Sequence, residues 1–158
     1  MSKKNAQIVI FEVDSYPNHC GIYFQEYGLF DNSFLGTRCI ELSDPKYPKG
    51  VTRSFEISVP KPRNSVTFFR KLMKLPDEII QMERDSRGWH LTREAPDYVL
   101  NLRKTRSRDT ASMNCVEWIL YGLELGDLIL PSDILTPNQL LNWCTSNLKN
   151  VTVPPPKG

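Results

Sequence analysis

The sequence predicts an α+β fold in which an antiparallel sheet packs against a cysteine-bearing helix. Three observations point there. Residues 7 to 60 hold four β-prone runs with no helical periodicity between them, and strands joined without helices pair antiparallel. Residues 110 to 149 carry apolar positions at helical spacing behind capping residues. Cys115 stands at the start of the first of those helices.

The first strand is expected over Gln7–Val13. The second, His19–Gln25, is entered through the turn signal Ser15-Tyr16-Pro17-Asn18. Thr37–Leu42 alternates and stops at Ser43-Asp44-Pro45, and Val51–Pro60 alternates and stops at prolines. The segment 26 to 36 reads as the loop between the second and third runs. In residues 63 to 108, Asn64 or Ser65 caps an expected helix through Val66–Leu75, with Val66, Phe69, Leu72 and Met73 on one face and Pro76 ending or kinking it. A further helical turn or two is expected over Asp77–Arg84, then strands at Gly88–Thr92 and Tyr98–Arg103. In the last block Ser112 or Asn114 caps the cysteine helix and Gly122 or Gly126 helps end it; Val116, Ile119, Leu120 and Leu123 would line its buried face. Thr136-Pro137 then signals a helix over Asn138–Leu148, with Leu140, Leu141 and Trp143 inward. One domain over residues 1–150 is expected, followed by an extended proline-rich tail over 151–158.

Composition narrows the function classes. With 40% hydrophobic and 24% charged residues in 158, the chain has enough apolar material for a core, which argues against wholesale disorder. A net charge of +2 and a pI near 8.3 are too mild to imply nucleic acid as the main partner. No apolar run approaches the length of a membrane helix, and the first residues lack a secretory apolar region, so a cytoplasmic protein is expected. Cys20, Cys39, Cys115 and Cys144 show no CxxC spacing; reduced thiols are expected, with no metal site and no cofactor.

The chemistry-bearing residues are then few. His19 and His90 are the two histidines. A cysteine attacks as thiolate, and the first turn of a helix lowers its pKa through unpaired N–H groups and the positive end of the helix dipole. A histidine can take the thiol proton and return it to a leaving group, and a carboxylate can hold that histidine's tautomer. If residues 26 to 36 close a hairpin, pairing near 25 with 36 brings residue 19 opposite residues 41 to 43. Cys115, His19 and Glu41 would then meet as nucleophile, base and orienting acid.

The words around these residues resemble the permuted branch of the NlpC/P60 superfamily of papain-like cysteine enzymes, which includes the lecithin retinol acyltransferase-like and YiiX-like groups. In that branch the histidine strand precedes the cysteine helix. His19-Cys20-Gly21-Ile22-Tyr23 is similar to its His-x-Gly-Ile strand, and Glu41 after Ile40 is similar to the acidic residue that ends the next strand. Asn114-Cys115-Val116-Glu117-Trp118 resembles the Cys-x-Glu and Asn-Cys motifs, and Ile134-Leu135-Thr136-Pro137 a Thr-Pro segment after the cysteine helix. Residues 45 to 108 have no counterpart, and the loop 26 to 36 is longer than the family's tight turn. Asp31 is therefore the rival of Glu41, and His90 the rival of His19.

The resemblance implies a papain-like hydrolase or acyltransferase working through a Cys115 thioester on a small-molecule, peptide or carrier-bound acyl substrate. The Cys115 amide would serve the oxyanion. Cys20, Cys39 and Cys144 are read as packing thiols, and Glu117 as a helix cap or the mate of a basic group. The run Leu102–Arg108 carries Arg103, Lys104, Arg106 and Arg108, which would form either a solvated loop or a docking patch for an acidic carrier protein. A non-catalytic binding, immunity or adaptor module on the same scaffold is the alternative.

Overall fold

The computed structural model describes residues 4–13, 16–33, 36–41, 51–72, 106 and 113–151. Within them the chain is α+β: a six-stranded antiparallel sheet and three helices. The strands are β1 (Lys4–Val13), β2 (Tyr16–Phe24), β3 (Gly28–Ser33), β4 (Gly36–Ile40), β5 (Val51–Val59) and β6 (Lys149–Val151). Their order across the sheet is β4-β3-β2-β1-β5-β6. The helices are α1 (Pro62–Leu72), α2 (Cys115–Leu125) and α3 (Pro137–Asn147).

β1 lies inside the sheet, paired with β2 on one side and β5 on the other. Its run Ile8-Val9-Ile10-Phe11 is buried at every position. Both faces of the strand are covered, so it reads as a continuous apolar run rather than an alternating one. Ile8, Ile10, Cys20, Ile22, Phe24 and Phe30 belong to the main core with the helices, and Val9, Phe11, Tyr23 and Leu29 form a second cluster. Each fully buried Ile or Phe contributes about 1.5–3 kcal/mol relative to exposure.

The segment expected as a loop over 26 to 36 contains β3. The turn Gln25-Glu26-Tyr27 closes the β2–β3 hairpin, with Tyr27 donating its amide to the Phe24 carbonyl at 3.0 Å. Gly28 follows at φ +114°, and a Cβ there would meet the Ile40 carbonyl oxygen at 2.6 Å. Glycine satisfies both the left-handed backbone and the close approach. β1 and β2 pair regularly from Gln7↔Tyr23 to Phe11↔His19; then Glu12 pairs with Pro17, which leaves Asn18 as an extra residue in β2. This bulge sits next to His19, and Pro17 fits it because proline has no amide hydrogen for the ladder.

α1 begins at Pro62, earlier than its expected cap at Asn64 or Ser65, because proline's fixed φ suits the first helical position. Ser65 lies inside the helix and donates its hydroxyl to the Gly122 carbonyl at 2.7 Å, joining α1 to α2. Gly122 does not end α2; a Cβ there would lie 2.1 Å from the Phe69 ring, so its bare backbone is what lets the two helices approach. Gly126 is the C-cap. α3 starts behind Thr136, with Leu140 and Leu141 buried as expected and Trp143 partly exposed. β6 was not anticipated; it pairs with β5 through Glu56↔Lys149 and Ser54↔Val151, so the chain is still in the sheet where the extended tail was expected to begin. The expected elements at Asp77–Arg84, Gly88–Thr92 and Tyr98–Arg103, and His90 itself, lie outside the described residues. No helix among the described residues is long and apolar enough to cross a membrane.

Candidate active site

Cys115 is the first residue of α2 and is fully buried. Asn114 precedes it with extended backbone, φ −87° and ψ −177°, as the N-cap. Its Oδ1 accepts from the Glu117 amide at 2.9 Å, and Glu117 Oε1 accepts from the Asn114 amide at 3.1 Å. This reciprocal box satisfies two backbone donors at the helix start. Glu117 is thus used as a cap, one of the two roles expected of it. Asn32 of β3 donates from Nδ2 to the Met113 carbonyl at 3.0 Å, which ties the helix entry to the sheet.

His19 lies on β2 opposite Phe11 of β1, with the two rings 5.7 Å apart and 29° from parallel. Its Nε2 is 2.9 Å from Asp31 Oδ2, and its ring also hydrogen bonds with the Cys115 side chain. With Nε2 engaged by Asp31, Nδ1 is the nitrogen left for the sulfur. Asp31 is fully buried on β3 and meets the Arg38 guanidinium as a fork: Nε donates to Oδ1 at 3.0 Å and Nη2 to Oδ2 at 2.8 Å. Arg38 stands directly opposite Asp31 in the β3–β4 ladder, and Gly21 opposite it on the β2 side. His19 is two residues along β2 from Gly21 and so shares that face diagonally with Asp31.

The electrostatics follow from these contacts. Burial alone would push the Cys115 thiol up, but hydrogen bonds from the Cys20 thiol and His19, the His19 charge and the Cys20 backbone amide outweigh it and bring the pKa from 9.0 down to about 6. Burial alone would push His19 down; hydrogen bonds to Asp31 and Cys115, together with their charges, raise it from 6.5 to about 10. Burial would also raise Asp31, yet His19 and Arg38 hold it below the ordinary carboxylate value. Between those two values the sulfur is a thiolate and the imidazole an imidazolium, each hydrogen bonded to the other. Cys20 is pushed well up, first by its hydrogen bond to Cys115 and then by burial, and Cys144 is pushed up to about 12 by burial. Four charges therefore share the site and cancel in pairs, which is the condition under which buried charge is tolerated.

His19 and Cys115 are brought together. Glu41 is not: it follows β4 as an exposed residue, and the carboxylate on His19 is that of Asp31. The difference arises in the hairpin. A turn at 25–27 places β3 next to β2, so Glu41 falls beyond the end of β4, one strand further away. The sequence signal for β3 is Gly28, four residues after Phe24, since glycine closing a three-residue loop marks a hairpin. Arg38, Asn32 and the contact of Cys20 with the sulfur also went unanticipated; Cys20 does more than pack. Cys39 is partly exposed and donates its thiol to the Tyr27 carbonyl at 3.1 Å. Arg106 turns its guanidinium onto the backbone carbonyls of Leu130, Pro131 and Ile134, bracing the α2–α3 connection. That use differs from carrier docking; Arg103, Lys104 and Arg108 lie outside the described residues.

Four buried polar atoms in this region have no hydrogen-bond partner among the described residues: Asn18 Oδ1, Asn32 Oδ1, Thr37 Oγ1 and Asn114 Nδ2. Among the described residues of the cluster, solvent reaches His19 and Arg38, whose side chains are 14% and 17% exposed, whereas Asp31 is at 0%. No family model, no curated protein and no solved structure matches the chain.

Proposed function

We propose that the chain is a cysteine-dependent enzyme of acyl chemistry, an amidase- or thioesterase-type hydrolase or an acyltransferase, with Cys115 as nucleophile, His19 as acid–base and Asp31 as the carboxylate that orients it. The observation that carries this reading is the continuous hydrogen-bonded series from Cys115 through His19 and Asp31 to Arg38. Each member has the residue type that the chemistry requires, and four separate elements supply them to one point.

In this mechanism the Cys115 thiolate attacks the carbonyl carbon of an amide, ester or carrier-bound acyl group. The tetrahedral oxyanion forms against the start of α2, where backbone N–H groups lack helical partners. His19 gives its proton to the leaving group, and a thioester remains on Cys115. Water or another nucleophile, deprotonated by His19, then releases the acyl group. Asp31 keeps Nε2 occupied, so Nδ1 faces the sulfur, and Arg38 keeps Asp31 ionised. The histidine strand before the cysteine helix, and the words around both, support a permuted papain-like relationship of the NlpC/P60 kind.

The test is a trapping experiment. Replacing sulfur by oxygen at the nucleophile slows release of the acyl group, so Cys115→Ser incubated with cell extract should carry an ester-linked acyl mass at position 115. The mass identifies the substrate class. Absence of any adduct on Cys115→Ser, together with no turnover of acyl esters by the unaltered protein, would sink the proposal in favour of a binding module.

A further inference from the structure

We infer that the side-chain amide of Asn114 is the second donor that holds the oxyanion at Cys115, a role that rests on the acyl chemistry proposed above. The first donor is the Cys115 backbone amide at the same helix end.

The argument begins with what a cap requires. An N-cap side chain needs an acceptor for the third helical amide and nothing else. The same protein shows this at α3, where the Thr136 hydroxyl accepts from the Gln139 amide at 3.1 Å and Gln139 Oε1 accepts from the Thr136 amide at 3.0 Å. Asn114 builds the same box with Oδ1 alone. Its NH₂ group is surplus to capping, yet it is buried and given to no atom among the described residues, in a residue only 4% exposed. Buried amide donors without partners are uncommon because they forfeit their hydrogen bonds to water.

Position supplies the use. Asn114 is the residue before the nucleophile, and its carboxamide plane is fixed by the Glu117 bond. With Oδ1 committed to the Glu117 amide, Nδ2 is the end of the carboxamide that the helix leaves unused, at the same helix start as the first-turn amides. The entry is held from the other side by Asn32 on the Met113 carbonyl. A donor for an oxyanion should be in place, desolvated and uncommitted before the reaction, so that no reorganisation accompanies charge development. Nδ2 meets each condition. When the Cys115 Sγ–C bond forms, the carbonyl π pair moves onto oxygen, which accepts from Nδ2 and from the Cys115 amide. Collapse restores the C=O bond and expels the leaving group with its bonding pair and the proton from His19.

The test separates thiolate chemistry from oxyanion chemistry. Alkylation by iodoacetamide is a displacement at saturated carbon and needs the thiolate only; acylation by p-nitrophenyl acetate needs the thiolate and an oxyanion. Asn114→Thr copies the cap of α3 while removing the amide donor. It should be alkylated at Cys115 within about twofold of the unaltered rate, and release p-nitrophenolate about 10²–10³-fold more slowly. Asn114→Ser, which keeps a capping hydroxyl on a smaller side chain, serves if the threonine variant does not fold. Acylation at the unaltered rate in the variant that folds would overturn the inference alone. An equal fall in both reactions would overturn it by making Asn114 a positioning residue for the sulfur. If the unaltered protein is alkylated at Cys115 but never acylated, the acyl reading fails and the inference fails with it.

Discussion

Replacing Asp31 by asparagine tests the proposed coupling of Asp31, His19 and Cys115 most directly. The substitution keeps the size of the side chain and a hydrogen-bonding oxygen, but removes the charge that holds His19 protonated. In the unaltered protein the thiol sits at about 6, so alkylation of Cys115 should be half-maximal near that pH. A pKa of 6 leaves ~90% thiolate at pH 7, whereas 9 would leave ~1%. The rate at a single pH understates this contrast, because a thiolate of higher pKa is intrinsically more nucleophilic. The midpoint of the pH profile is therefore the quantity to read. Asp31 acts on the sulfur through His19 while the contacts from Cys20 persist, so Asp31→Asn should raise the midpoint by about two units. Losing the charge from the buried Arg38 fork should cost about 3 kcal/mol, near the lower end for a broken buried pair since Arg38 touches solvent. That corresponds to a melting temperature lower by ~6–12 °C. The assay is iodoacetamide labelling from pH 4.5 to 10 with peptide mapping, beside a thermal melt. An unaltered protein whose Cys115 labels with a midpoint near 8.5, unchanged in Asp31→Asn, would refute the reasoning.

Linkage gives this site a further pH signature. His19 is raised on folding, so its contribution to stability is complete below 6.5 and is lost as pH rises through about 10; urea midpoints should fall across that upper range, and fall less in His19→Ala. Glu41→Gln should leave both the labelling profile and any acyl turnover within about twofold, and a loss beyond tenfold would return Glu41 to the site. Cys20→Ala removes a thiol donor to the Cys115 sulfur; its labelling midpoint should rise by up to about one unit, and no rise would mean that the Cys20 thiol leaves the sulfur unaffected. Gly122→Ala places a methyl group against the Phe69 ring and should cost about 1–3 kcal/mol in urea unfolding, with no effect expected on the labelling midpoint.

The two ends of the molecule were legible for different reasons. Caps are local: Asn114 and Thr136 announce α2 and α3 through side-chain oxygens acting within three residues, so both starts could be read from sequence. The run through Ile8–Phe11 needed only its apolar content. β3 is six residues long, with a charged and an amide residue at its centre, Asp31 and Asn32, which read as loop. They are buried because tertiary partners satisfy them: Asp31 by His19 and Arg38, Asn32 by the Met113 carbonyl. That compensation comes from segments 7 to 81 residues away and leaves no local trace. The misplacement of the acid followed, since register decides which carboxylate meets His19, and register was set by a turn shorter than the assumed loop. The Cys20 contact was hidden likewise: neighbours on a strand ordinarily face opposite sides, so local sequence does not place His19 and Cys20 on one sulfur.

Under the proposed acyl chemistry, the pairwise cancellation of charge around Cys115 would also set the order of events. In the proposed mechanism, forming the Sγ–C bond moves the negative charge from sulfur to the carbonyl oxygen at the start of α2, while Arg38 and Asp31 go on neutralising each other, so the imidazolium loses its adjacent anion. The ring's hold on its proton weakens at the moment a departing amine or alkoxide needs it. Once neutral, the ring is fit to draw a proton from an incoming water, and the regenerated thiolate makes it acidic no longer. In this scheme the nucleophile acts as the trigger for its own acid–base partner.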